Sequence, residues 1–267
     1  MTSTRPAASL PLPPPEMRAL VGPTEAAAFD NSSGDPIFSD LEATQYDAVF
    51  DFGCGCGRLA RQLMQQRHRP RRYVGIDLHR GMIEWCRREL APHVGGFDFI
   101  HHDVYELAFN PDGREPWLPF PVEDGGFSLL IAYSVFTHVN QPQALGYLAE
   151  TRRVLRRDGI ARTTWFLFDK GDFPMMQEEQ NALFINETNW TNAVIFDREW
   201  LIHSIREVGL TIVAADPPTI RGFQWVLHLS PVERGLPEVA LPLDDAPRGI
   251  QRASHCPPDA HRIGLEH

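Results

Sequence analysis

Lysine is almost missing from this chain of 267 residues: Lys170 is the only one, so 24 of the 25 basic residues are arginine. We read the bias as genomic composition rather than function. The densest basic cluster, Arg67-His68-Arg69-Pro70-Arg71-Arg72, reads as a solvated connection between a helix and a strand. Cysteine is scarce too. Cys54, Cys56, Cys86 and Cys256 are too few and too unevenly spaced for a disulfide scaffold, so a cytoplasmic setting is expected. No apolar run approaches the roughly 18 residues a membrane helix needs, so no membrane partner is expected. Met1 to Pro15 contains Arg5 but no apolar core of a secretory signal. Excess basic charge is lacking as well: the formal net charge is −10, which argues against a nucleic-acid partner. What is present, 43% hydrophobic and 22% charged residues, excludes wholesale disorder and allows one large domain or two small ones.

Prolines divide the chain. Seven of the 23 lie in residues 1–40 and six in 231–267. Proline fixes φ and lacks a ladder donor, so neither end is expected to hold core elements. Three parts are expected: an amino-terminal arm or lid over 1–44, a main domain over 45–230, and a proline-rich tail over 231–267. The final Leu265-Glu266-His267 reads as the start of a purification tag.

Within the main domain, apolar strands alternate with helical patterns. Strands are expected at 47–52, 73–77, 97–101, 127–132 and 160–168, with two more near 210–215 and 222–229. Between them, Leu59, Leu63 and Met64, then Met82, Ile83, Cys86 and Leu90, then Leu145, Leu148 and Leu155, recur at helical spacing. A last helix carries Leu201, Ile205 and Val208 and stops at Gly209. Asp158-Gly159 reads as the turn into the fifth strand, and Phe109-Asn110-Pro111-Asp112-Gly113 as an exposed turn. Near-continuous apolar strands joined by helices predict an α/β fold with a doubly wound, mostly parallel seven-stranded sheet. The short connection between the last two strands implies a hairpin, and with it an antiparallel edge strand.

In such sheets, ligands bind beyond the carboxyl ends of the strands. The first strand runs into Asp51-Phe52-Gly53-Cys54-Gly55-Cys56-Gly57-Arg58, a G-x-G-x-G turn that lets backbone approach a ligand at a helix amino terminus. A dinucleotide fingerprint needs its third glycine where Arg58 stands, and no Gly-Lys-Ser/Thr follows for a nucleoside triphosphate. Asp77 ends the second strand, where an acid accepts hydrogen bonds from ribose hydroxyls. Asp103 ends the third, placed for an adenine amino group. C-x-C at Cys54 and Cys56 without nearby partners is poor zinc spacing, so no metal is expected.

These motifs stand in the order of the class I S-adenosylmethionine-dependent methyltransferases, which residues 47–168 resemble. The set runs Val49-Phe50-Asp51-Phe52-Gly53-Cys54-Gly55-Cys56-Gly57, Gly75-Ile76-Asp77, Asp103-Val104, Leu118-Pro119-Phe120, Phe127-Ser128-Leu129-Leu130 and Val154-Leu155-Arg156-Arg157-Asp158-Gly159. The resemblance implies a Rossmann-like methyltransferase fold of the bacterial, small-molecule type, with S-adenosyl-L-methionine as cofactor and S-adenosyl-L-homocysteine as product. It implies that Gly53, Cys54, Gly55 and Gly57 surround the methionine moiety with help from Asp51. Asp77 would take the ribose hydroxyls with Leu78 beside the adenine, Asp103 and Val104 would meet the adenine edge and face, and Met82 is a further cofactor contact. Tyr133 and Ser134 would flank the methyl donor. Pro13 to Gly22 resembles the arm of one branch of the family, in which an arginine reaches the donor carboxylate; Arg18 is that candidate. For Asp51 and Asp103 the alternative is turn capping, and for Arg18 a surface position.

Methyl transfer from a sulfonium is an in-line displacement that needs alignment above all. A base is needed only for a weakly acidic acceptor. His138, in Tyr133-Ser134-Val135-Phe136-Thr137-His138-Val139, is the candidate base; the alternative is packing beside the donor. Residues 169–196 are the expected substrate cap. Asp169, Met175, Met176, Phe184 and Trp190, together with His138, are candidate contacts to a small, partly apolar acceptor bearing a hydroxyl or amine. Phe173 and Phe196 belong to the same apolar set, which reads equally as the core of a small cap. Nucleic-acid amino methylation is not expected, because Ala132-Tyr133-Ser134-Val135 replaces the Asn/Asp-Pro-Pro-Tyr/Phe such enzymes use. The readings to be separated are a methyltransferase, a non-catalytic S-adenosylmethionine-binding protein on the same fold, and a nicotinamide-dependent oxidoreductase. Oligomeric state is not legible.

Overall fold

The computed structural model of the chain describes residues 10–186, 188–220 and 224–241. The chain separates into two compact units, residues 1–102 and 103–267. The tag remnant and the tail beyond residue 241 lie outside the described residues.

In the first unit three strands run parallel in the order β3-β2-β1: β1 (Ala48–Phe52), β2 (Arg72–Asp77) and β3 (Phe97–His101). All five residues of β1 are buried. Each large apolar side chain in it contributes about 2 kcal/mol by leaving water, which explains a strand with no solvent-facing alternation. The crossovers are α2 (Arg58–Gln65) and α3 (Arg80–Trp85), the latter continuing into a π-helical turn over Cys86–Leu90. Met82, Ile83, Cys86 and Leu90 are all buried, as their spacing predicts. The arm before β1 carries the short helix α1 (Pro15–Leu20), with proline at its first turn, where no N–H is needed.

The second unit contains β4 (Phe127–Ala132), α4 (Gln141–Val154) and β5 (Leu155–Phe168). They are followed by β6 (Ala182–Phe184), β7 (Val194–Asp197), α5 (Arg198–Glu207), β8 (Leu210–Ile220) and β9 (Gln224–Pro231). β5 runs parallel to β4 and β7, while β9 runs antiparallel to both β5 and β8, and β6 closes the path antiparallel to β7. The mostly parallel α/β fold with an antiparallel edge strand is therefore present. β6 and β7 are two strands beyond the seven expected. Asp158-Gly159 is not a turn before the strand but a step inside it, where the pairing passes from Phe127↔Leu155 to Leu129↔Ile160. α4 begins at a capping box, Asn140 with Gln143, and buries Ala144, Tyr147, Leu148, Thr151 and Val154. Leu145, expected inward, is exposed. No helix among the described residues is long and apolar enough to cross a membrane.

Candidate active site

β1 delivers the chain into the glycine loop. Gly53, Gly55 and Gly57 have φ of +80°, +54° and +78°, a region that a side chain makes costly. The N–H groups of Gly53 and Cys54 both donate to the Ile76 carbonyl, at 2.8 and 3.0 Å. A Cβ on Gly57 would lie 2.6 Å from Leu90 Cδ1, and one on Gly55 2.6 Å from Val21 Cγ1 of the arm. The loop is thus pressed from below by the helix that follows β2 and from the other side by the arm. Asp77 is tied directly to it: Oδ2 accepts from Gly55 N–H and Oδ1 from His79 N–H, each at 2.8 Å. Burial raises the Asp77 carboxyl above the ordinary range, and the two N–H bonds oppose that rise. The Leu78 carbonyl lies 2.9 Å from His101 Nε2. Met82 is buried with Phe29 and Cys56, and Leu12, Met17, Val21 and Ala28 of the arm pack on that cluster.

Arg18 stands in the arm between Met17 and Val21, which pack on this cluster. Its Nη1 donates to the Thr24 carbonyl, while its Nε is buried without a hydrogen-bond partner. An orphaned guanidinium N–H is costly unless an acceptor meets it, and the carboxylate of an amino-acid ligand supplies one. The glycine loop, the Asp77 carboxylate and this orphaned donor therefore fit the donor that the sequence resemblance implies.

Asp51 is only 2% exposed and accepts a 2.6 Å hydrogen bond from Tyr73 Oη. Burial pushes its carboxyl up to about 7, against the downward pull of the Tyr73 bond. Gly75 faces Asp51 in the β1–β2 register, and a Cβ there would lie 2.9 Å from both Tyr73 Oη and Cys54 Sγ. Sequence reasoning missed Tyr73 as the partner of Asp51. The bare Gly75 opposite was the one signal that something needed room. Cys54, Cys56 and Cys86 are free and buried. Burial pushes the Cys56 thiol to about 12 and raises the other two as well, so these sulfurs are packing groups rather than thiolates. Among the described residues no cluster of three or more metal-ligating side chains occurs.

In the second unit, Asp103 Oδ1 accepts from Asn110 Nδ2 at 3.0 Å, and the same amide donates to the Val104 carbonyl at 2.8 Å. Asn110 is buried. The turn expected to be exposed thus sends one residue inward to hold the Asp103-Val104 corner, a role the sequence did not reveal. Tyr133 is half-buried, and Ser134 has φ of +56°, the one positive value at a non-glycine among the described residues. Thr164 Oγ1 accepts from Ser134 N–H at 2.7 Å, and Ser134 Oγ meets the Gln224 side chain at 3.1 Å. Backbone strain held by such bonds is typical of functional positions.

His138 Nδ1 lies 3.0 Å from the Thr191 carbonyl. A carbonyl only accepts, so Nδ1 carries the proton, and Nε2 is the acceptor nitrogen of the neutral ring. Thr191 Oγ1 donates to Glu106 Oε1 at 2.9 Å, and Glu106 Oε2 accepts from the N–H groups of Ala108 and Phe109. His138, the segment around Thr191 and the turn after Val104 thus form one hydrogen-bonded assembly. Tyr105, Leu107, Phe109, Phe184 and Trp190, in or close to these segments, are substantially exposed. Phe184 and Trp190 pack edge-on at 5.6 Å.

The other cap residues part company. Asp169 accepts from the buried Arg198 at 2.7 Å, and Arg198 lies over the Trp225 ring. Asp169, Lys170, Phe173, Met176, Asp197 and Glu199 line an open depression of about 530 Å³. Met175 is 92% exposed and lies outside that lining. Phe196 is buried between Trp165 and Trp200, with ring centroids at 5.5 and 5.3 Å, and belongs to the core.

Comparison with known proteins bears on this arrangement. Residues 49–159, from β1 to the step inside β5, match a family model described as a methyltransferase domain. A fatty-acid O-methyltransferase of Mycolicibacterium smegmatis is 32% identical over 111 residues, 42% of this chain and 34% of the relative. The chain thus matches about a third of that relative's length. The crystal structure of a S-adenosylmethionine-dependent methyltransferase from Aquifex aeolicus aligns over 82% of this chain and 98% of its own, with a TM-score of 0.50 and 10% identity. An O-methyltransferase from neocarzinostatin biosynthesis, solved with S-adenosylmethionine and a naphthoic acid, aligns over 72% of this chain and 51% of its own, with a TM-score of 0.48 and 14% identity. At 10% identity the likeness to the Aquifex structure speaks to the fold alone.

Proposed function

We propose that this chain, whose residues 49–159 match a methyltransferase-domain model, transfers a methyl group from S-adenosylmethionine to a hydroxyl or amine of a small, partly apolar molecule in the cytoplasm. The observation that carries the reading is the bond between Asp77 and Gly55 N–H, which joins the ribose-type acid to the glycine loop of the matched domain. When bound, S-adenosylmethionine supplies an electrophilic methyl on a sulfonium. Gly53, Cys54, Gly55 and Gly57 contribute a close-approach backbone, and Asp77 keeps acceptor capacity on both oxygens for the ribose hydroxyls. Arg18 offers its orphaned Nε–H to the donor carboxylate, Asp51 helps to hold the methionine moiety, and Leu78 and Met82 give apolar contact. Asp103, Val104, Tyr133 and Ser134 are assigned donor contacts by the family resemblance alone.

His138, with Nε2 as acceptor, takes the proton of the acceptor group. Phe184 and Trp190 receive its apolar part, with Asp169, Met175 and Met176 on the same segment. The exposed apolar side chains of this segment and of the turn after Val104 support an apolar acceptor over a nucleic acid. A carboxylate acceptor, of the kind named for the Mycolicibacterium relative, is already anionic and needs no base. Transfer of labelled methyl from S-adenosylmethionine to a panel of small phenols, amines and carboxylic acids tests the reading. Label in a phenol or amine supports it, label in acids alone moves it to carboxyl methylation, and no transfer to any of them refutes the enzymatic reading.

A further inference from the structure

Arg61 stands on α2, one turn after the glycine loop, yet its guanidinium is buried and turned toward the arm. Nε donates to the Pro11 carbonyl at 2.9 Å and Nη2 to the Leu10 carbonyl at 3.0 Å. Nη1 donates to the Phe29 carbonyl at 2.8 Å and also to the Asp30 carboxylate. One side chain thus gathers two stretches of arm, 10–11 and 29–30, and closes the intervening residues 12–28 into a loop. Its neighbours on α2 add to the hold: Gln62 Nε2 donates to the Ala28 carbonyl at 3.0 Å, and Gln65 Nε2 to Asp30 at 3.1 Å. The closed segment is the part that covers the glycine loop. Val21 packs on Gly55, the Met17 carbonyl lies 3.8 Å from Cys56 Sγ, and Arg18 lies between them in sequence. A buried arginine costs several kcal/mol in desolvation unless its fork is hydrogen-bonded, and here four of its five N–H groups go to arm backbone and one arm carboxylate. Core packing alone requires no charge at this position.

We propose that Arg61 is a positioning residue for the methyl donor: it clasps the arm at both ends and so holds Met17, Arg18 and Val21 against the glycine loop. Release of the donor or its product then requires the clasp to open. The inference deepens the reading of the glycine loop as the donor site and rests on it.

The test uses the full chain carrying Arg61→Met or Arg61→Lys. Hydrogen exchange of residues 12–28 and the dissociation rate of S-adenosylhomocysteine are both measured. The expectation for Arg61→Met is at least about tenfold faster exchange in the arm, unchanged protection of β1–β3, and at least about tenfold faster dissociation. Lysine, with its single point charge, recovers only part of each effect. A merely structural arginine lowers the unfolding midpoint but leaves dissociation from the folded protein unchanged; that result, or unaltered arm exchange, overturns the proposal. If Arg61→Met does not fold, Asp30→Asn weakens the clasp from its exposed side, and unchanged dissociation there overturns it equally. Failure of the native chain to bind S-adenosylhomocysteine overturns the donor reading, and the positioning role with it, while arm exchange in the variants still reports whether the clasp exists.

Discussion

Replacing Asp51 with asparagine keeps an acceptor for the Tyr73 hydroxyl and removes a carboxyl that burial holds at about 7 rather than the ordinary 3.8. Because the folded-state value is raised, the carboxyl's contribution is fully present below the unfolded value and is lost as pH rises through the folded one. Between pH 5 and pH 7 the folded chain keeps a proton that the unfolded chain has already released. Each pH unit of full mismatch is worth about 1.36 kcal/mol, and the folded carboxyl is half ionised by pH 7, so the native protein loses about 2 kcal/mol of stability over the interval and Asp51→Asn does not. Urea unfolding of both proteins at pH 5, 6, 7 and 8 isolates the effect, because every other titrating group is shared and cancels in the difference. The asparagine variant gains relative stability as pH rises and levels off above about 7. A difference that stays flat, or one that moves the other way, refutes the assignment of a buried neutral Asp51.

Gly57→Ala places a Cβ at φ +78° and 2.6 Å from Leu90 Cδ1, so it costs about 2–4 kcal/mol in unfolding measurements; a loss below about 0.5 kcal/mol contradicts the packing described. Asp77→Ala removes the acceptor shared by Gly55 and His79 N–H and weakens S-adenosylhomocysteine binding by at least about a hundredfold in calorimetry, with asparagine recovering part. His138→Ala lowers turnover about 10²- to 10⁴-fold without weakening that binding. Unchanged turnover rejects the base role and favours an acceptor that is already anionic.

Much of the framework was legible because its signals are local. β3 and β4 coincide with the expected strands to the residue, Phe97 to His101 and Phe127 to Ala132, since an apolar run bounded by polar or glycine residues needs no partner to be recognised. β6 and β7 were not, because three- and four-residue strands pair over a distance that leaves no period to read. Leu145 shows the limit of spacing: a leucine one position off the buried stripe of Ala144, Tyr147 and Leu148 faces water. The glycines and acids of the candidate site were visible in order, but their partners were not. Tyr73 for Asp51, Thr191 for His138 and the arm for Arg61 are long-range bonds, and Asn110 for Asp103 is a bond across a turn; all join polar side chains, or side chain and backbone. Such bonds have no sequence periodicity, and only the fold brings their members together.

The central claim is that the glycine loop, Asp77 and the arm hold S-adenosylmethionine. Calorimetric titration of the native chain with S-adenosylhomocysteine tests it most directly. One site with a dissociation constant at or below about 100 μM is expected, lost in Asp77→Ala. Absence of binding heat at millimolar ligand across several temperatures contradicts it.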